Sequence, residues 1–123
     1  MFKNIDNSIP GVSIQQISKL EEVIEGELPK DYIEYLKQYG FVSLQGRDLF
    51  GLGNDKFFNV LKETKELQDN FNLTKNFVAL ESVGTDVMYL VLNTSNGCVY
   101  EWVPSGEVKK IYKSFKEFIE NDF

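Results

Sequence analysis

Between Phe77 and Tyr112 the chain carries four strand-like runs, Phe77 to Glu81, Val87 to Leu92, Cys98 to Val103 and Val108 to Tyr112. The segments between them, Val83-Gly84-Thr85-Asp86, Asn93-Thr94-Ser95-Asn96-Gly97 and Pro104-Ser105-Gly106-Glu107, are too short for the crossover of about a dozen residues that a parallel pairing requires. The spacing therefore predicts an antiparallel meander. Val87 to Leu92 is apolar at every position, as expected of a central strand covered on both faces. Val108-Lys109-Lys110-Ile111 carries the lysines of a protected edge.

The residues ahead of the meander read as helices and one hairpin. Ser13 with Gln16 has the form of a capping box, and Ile14, Ile17, Leu20 and Ile24 follow at helical spacing. Gly26 is expected to end this helix in a left-handed conformation, and Pro29 to open the next in its first turn. That second helix, with Tyr32, Ile33, Leu36 and Tyr39 on one stripe, is expected to stop at Gly40. Phe41 to Leu44 and Asp48 to Leu52, separated by the turn-like Gln45-Gly46-Arg47, read as two short strands or one hairpin. Asn54 or Asp55 can cap a third helix whose stripe runs from Phe57 to Phe71, and Ser114 with Glu117 caps a short terminal helix bearing Phe115, Phe118 and Ile119. Strands segregated in this way predict an α+β fold, with about four helices on an antiparallel sheet made of a short hairpin and a four-strand meander.

At 123 residues, 42% of them hydrophobic, the chain is expected to form one domain spanning 1–123 and to bury about two-thirds of its unfolded surface. No apolar run approaches the roughly 20 residues of a membrane span, and Met1 to Pro10 lacks the apolar core of a secretory signal. Cys98 is the only cysteine and can form no internal disulfide, so the default setting is cytosolic. On its strand Cys98 reads as a small apolar core residue, and Trp102, sharing its face with Tyr100, reads first as core and second as an interface anchor.

The sequence contains no histidine, which removes the usual general base of Ser and Cys catalysis and the commonest zinc ligand. Gly46 to Asn54 is rich in glycine and precedes a helix, yet lacks the Gly-Lys-Ser/Thr ending of a phosphate loop and the third glycine of a dinucleotide fold. It is expected to serve as turns. Asp48 and Asp55 could in principle hold a magnesium ion with Glu81, Asp86 or Glu101, but nothing in their spacing selects that over exposed carboxylates. No cofactor and no catalysis are expected.

The formal net charge is −6, which argues against nucleic acid and anionic membranes and favours a basic partner. Charge is polarised: Glu21 to Glu34 holds six acids against one lysine, a net −5, whereas Val108 to Phe123 is +1. Individually these acids are the solvated faces of helices, and together they form a possible docking surface.

Several segments in this order carry a resemblance. They are the opening helix with Ile17 and Leu20-Glu21, then Glu27-Leu28-Pro29-Lys30-Asp31-Tyr32, Tyr39-Gly40, and Asp48-Leu49-Phe50-Gly51-Leu52. After these come Gly84-Thr85-Asp86, Gly97-Cys98-Val99-Tyr100-Glu101-Trp102 and Phe115-Lys116-Glu117-Phe118-Ile119. Across nearly its whole length the chain resembles the SUKH superfamily, which contains bacterial immunity proteins and a domain of a yeast cell-wall integrity regulator. Phe41 to Leu44 departs from the smaller or more polar residues usual there. The resemblance implies an α+β domain that binds and does not catalyse, with a cognate toxin domain, basic and often a nuclease, as partner. The alternative it implies is an intracellular regulatory scaffold recognising a signalling or cell-wall protein. Contacts are expected from Asp48, Glu81, Asp86 and Glu101 with Tyr100 or Trp102 as aromatic anchors, and from a second patch of Glu22, Glu25, Asp31 and Glu34.

Overall fold

A computed structural model describes residues 7–54, 56–84 and 87–123, with side-chain surroundings from Pro10 onward. Helix α1, Ile14–Ile24, buries Ile17, Leu20 and Ile24. Ser13 stands at its N-cap, but the hydroxyl makes no capping bond, so the expected box with Gln16 is not formed. The helix ends one residue earlier than expected: Glu25, not Gly26, takes the left-handed conformation, at φ 54°. The Glu25 amide donates to Glu22 O (3.3 Å) and the Gly26 amide to Glu21 O (3.2 Å), while the Glu21 carboxylate accepts from the Leu28 amide (2.9 Å). These bonds offset the steric cost of a side chain in that region.

Helix α2, Lys30–Gln38, begins just after Pro29 and buries Tyr32, Tyr35 and Leu36. Gly40 does not stop it. The helix passes without a loop into strand β2, Tyr39–Leu44, and Gly40 is a strand residue. Strand β1, Asn7–Pro10, which the sequence pattern does not announce, pairs antiparallel with β2. The expected hairpin is present as β2 and β3, Arg47–Leu49, joined through Gln45 and Gly46 at φ 53° and 77°. Two positive φ values in succession give the twist that a two-residue hairpin needs.

Beyond β3 the backbone makes a close contact that accounts for Gly51. A Cβ on Gly51 would lie 2.0 Å from the carbonyl oxygen of Gly40, and the Gly53 amide donates to that oxygen at 3.0 Å. Gly51→Ala is therefore expected to cost about 3 kcal/mol, the upper end for overpacking, because backbone must move; urea unfolding measures it. The Phe50 amide donates to Leu80 O (2.9 Å), joining the three-stranded sheet β1-β2-β3 to the second sheet.

Helix α3, Val60–Phe71, starts later than the spacing suggests, with Asn59 as its cap accepting from the Lys62 amide (3.1 Å). Asn54 instead closes its own turn by accepting from the amides of Lys56 (2.8 Å) and Phe57 (3.1 Å), which leaves Phe57 outside the helix. Asp55 lies outside the described residues. Thr64, fully buried, accepts from the Ala79 amide (3.0 Å) and ties α3 to the second sheet.

That sheet is the expected meander: β4 Phe77–Ser82, β5 Tyr89–Asn93, β6 Val99–Trp102 and β7 Val108–Tyr112, antiparallel in sequence order. Leu90, Val91 and Leu92 are buried on both faces of β5, whereas Lys109 and Lys110 are exposed on edge strand β7. Helix α4, Phe115–Asp122, is capped by Ser114, whose hydroxyl accepts from the Glu117 amide (3.0 Å). Its Phe115 meets Tyr32 and Tyr35 of α2 at ring-centroid distances of 5.0 and 5.2 Å, and these rings belong to one core shared by helices and sheets. The fold is α+β, as the sequence predicts.

Candidate partner-binding surfaces

The carboxylates named from the sequence do not share one surface. Glu81 is buried, only 2% exposed, and makes no surface contact. Both faces of β4 are covered, so an acid here is buried on either side; register decides which neighbours it meets, because Ala79 opposes Val91 and Glu81 opposes Leu90, leaving Leu80 as an extra residue. Neighbouring residues of β5 point to opposite faces, and the bulge therefore places Glu81 on the face of Leu90 and not on that of Ala79 and Val91.

Inside, Glu81 receives the guanidinium of Arg47, Nε at 3.2 Å from Oε2 and Nη2 at Oε1. Arg47 Nη1 also meets Asp122 Oδ2 at 3.3 Å, and Tyr112 donates its hydroxyl to the other oxygen of Asp122. The guanidinium lies over the rings of Phe123 (4.5 Å) and Phe118 (5.8 Å). Burial pushes the Glu81 carboxyl above the usual range, and the bonds and charge of Arg47 pull against that rise. The bond to Asp122 pushes the Tyr112 phenol up to about 12. These four side chains join β3, β4, β7 and α4.

Trp102 is likewise in the core, 3% exposed and beside Tyr89 (6.3 Å between ring centroids), so it anchors no partner. Tyr100 is half-buried, edge-on to Phe77 at 5.8 Å, with its hydroxyl accepting from Asn96 Nδ2 (2.9 Å). Glu101 is half-buried between Leu90 of β5 and Lys109 of β7. Asp48 is half-buried and sits on the other sheet, opposite Ser43. Asp86 lies outside the described residues.

The helical acids remain at the surface. Glu22, Glu25 and Glu34 are exposed and join no ion pair among the described residues. Asp31 is half-buried and structural as well: Oδ1 accepts from the Tyr32 amide (2.8 Å) and Oδ2 from the Lys116 amide (3.0 Å), where its charge meets the positive end of α4. Asp31 and Glu34 line a groove with Gln38, Lys116, Ile119 and Glu120. Its volume of about 250 Å³ lies below the roughly 300–1,000 Å³ of small-molecule sites. Among the described residues no three His, Cys, Asp or Glu side chains converge in a way that could hold a metal ion.

One surface escapes the sequence reading. Phe57 is 64% exposed and Phe58 41% exposed, and Phe58 stacks on Phe41 with centroids 5.1 Å apart. Helical spacing places Phe57 in a buried stripe. The signal that separates it is a pair of asparagines, Asn54 and Asn59, each able to cap, with both phenylalanines between them.

Among the described residues, two antiparallel sheets and four helices share one hydrophobic core, which makes this an α+β domain. The chain belongs to the SUKH superfamily: the model of the family described as SUKH_5, SMI1-KNR4 cell-wall, matches residues 3–123. Membership makes protein partners the general expectation. No described helix is long and apolar enough to cross a membrane.

Proposed function

We propose that this protein is a cytoplasmic immunity protein that binds a cognate polymorphic toxin domain and neutralises it by contact, without catalysis. SUKH membership supplies the class, and the exposed, unpaired acids of α1 and α2 carry the reading of the partner as basic. Toxins that handle nucleic acid present cationic surfaces, and an inhibitor of net charge −6 gains association rate from the opposing field. Coexpression with the toxin encoded beside its gene is expected to restore growth, and the purified pair to associate more slowly as salt rises from 50 to about 500 mM. No protection and no complex would sink the proposal.

The cell-wall description of the matching family favours a second reading, an intracellular regulatory scaffold that recognises a signalling or cell-wall protein. A toxin gene next to its own supports the first reading, and isolation from any toxin gene supports the second.

A further inference from the structure

The outer face of the three-stranded sheet sets an aromatic shelf beside a carboxylate. Alternation along β2 and β3 turns Val42, Leu44 and Leu49 into the core and Phe41, Ser43 and Asp48 outward, with Ser43 and Asp48 directly opposed. Phe58 lies nearly parallel to both Phe41 and Phe50, at 5.1 and 6.3 Å, with 19° between the planes in each case. Next to it Phe57 is the most exposed aromatic among the described residues and has no ring contact among them. The loop that displays these rings is fixed by hydrogen bonds. Besides the two amides held by Asn54, Asn59 Nδ2 donates to Asn54 O (2.9 Å) and the Gly51 amide to Phe58 O (3.0 Å).

The charge on this face indicates what covers it. Arg47, adjacent to Asp48, is turned to the opposite side and held by Glu81 and Asp122, whereas Asp48 has no ion pair among the described residues. Beside flat rings, a free carboxylate suits a guanidinium, which can bond an acid in its plane and stack through its face. Arg47 meets its own acids and Phe123 in just this way on the inner side.

We infer that this shelf anchors the partner through one of the partner's arginines, seated on Phe41 and Phe58 and bonded to Asp48, with Phe57 entering an apolar recess beside it. The partner's identity rests on the immunity reading; the chemistry of the shelf does not. Lys56, exposed in the same loop, gives the test a sign.

Calorimetry with the catalytically inactivated toxin domain encoded beside the gene is expected to show Phe57→Ala weakening the complex about 30-fold, the scale of an interface hot spot. Asp48→Lys weakens it about 10-fold and Lys56→Glu tightens it, in line with close interfacial charge pairs. The thermal midpoint of Phe57→Ala stays at the wild-type value. Binding within twofold of wild type for both Phe57→Ala and Asp48→Lys, or tighter binding by Asp48→Lys, overturns the inference. In a second arm, nitrogen-15 spectra are titrated with tri-arginine and with tri-glutamate peptides. Tri-arginine is expected to shift the amides of Phe41, Asp48 and Phe57, an effect lost in Asp48→Asn. Shifts confined to Glu22, Glu25 and Glu34 overturn the inference. If the wild type fails to bind the toxin at all, the immunity reading falls, and the peptide arm still decides the shelf.

Discussion

Arg47→Ala is expected to remove about 3 kcal/mol of stability at pH 7.5, because it leaves the buried carboxyl of Glu81 without its partner. The value is the low end for a buried pair, since the Arg47 side chain is itself 32% exposed. The pH dependence identifies the cause. Burial already raises the Glu81 pKa in the folded protein, and Arg47 opposes that rise. Without Arg47 the folded-state pKa climbs further, so the folded form takes up a proton at a pH where the unfolded chain has released it. The stability of such a group is full below the unfolded pKa and is lost as pH rises through the folded one. The deficit of Arg47→Ala relative to wild type should therefore be smaller at pH 5 than at pH 7.5 in urea unfolding, and an equal deficit at both would show that Glu81 is not its source. Replacing both residues, as Arg47→Met with Glu81→Leu, is expected to recover most of the loss.

Phe115→Ala should cost about 4 kcal/mol, the cost of deleting a fully buried ring from a packed core. Phe115 touches Tyr32 and Tyr35 of α2 and lies 6.0 Å from Phe118 between ring centroids, so the cavity would open where α4 meets α2. Stiff rings surround it and can close only part of that space. A fall in thermal midpoint of about 15 °C is the expected reading by calorimetry or circular dichroism. The contrast with Phe57→Ala is informative: one phenylalanine is 0% exposed and the other 64%, and only the first should move the midpoint. Any loss of toxin protection by Phe115→Ala should then follow the amount of folded protein, which quantitative blotting separates from a loss of affinity.

The elements that the sequence disclosed are those set by local chemistry. Ser114 caps α4 as its spacing with Glu117 implies, Gln45-Gly46 turns the hairpin, and the short connections of the meander admit only antiparallel neighbours. Its failures lie where a distant partner decides. Asn7-Ser8-Ile9-Pro10 has no strand signature of its own and becomes a strand because β2 offers it an edge. Asn54 and Asn59 are both sound caps, and the bond from Asn59 to Asn54 O shows the two sharing the work of one turn and one helix start. Among the functional candidates, Asp48 and Glu81 read alike as acids beside apolar strands. They differ because β4 is covered on both faces and β3 on one, which no propensity announces, and because Arg47 bonds Glu81 and reaches Asp122 75 positions away. The superfamily was legible because it depends on the order of elements, whereas the aromatic shelf depends on which side of a sheet each residue takes.

The seamless passage from α2 into β2 makes residue counting a determinant of the protein's outward chemistry. Tyr39 follows the last residue of the helix and already pairs with Pro10, and the ladder takes up one extra residue, Gly40, before Phe41 pairs with Ile9. A one-residue slip of the strand beyond that bulge would exchange its two sides, presenting Val42 and Leu44 to solvent and drawing Phe41 and Ser43 inward. The turn at Ser105–Glu107, exposed throughout, can accept a reporter or a fused peptide with far less consequence. An engineer grafting a new specificity onto this scaffold can therefore vary side chains freely on the outer face, while the register of the junction has to stay untouched.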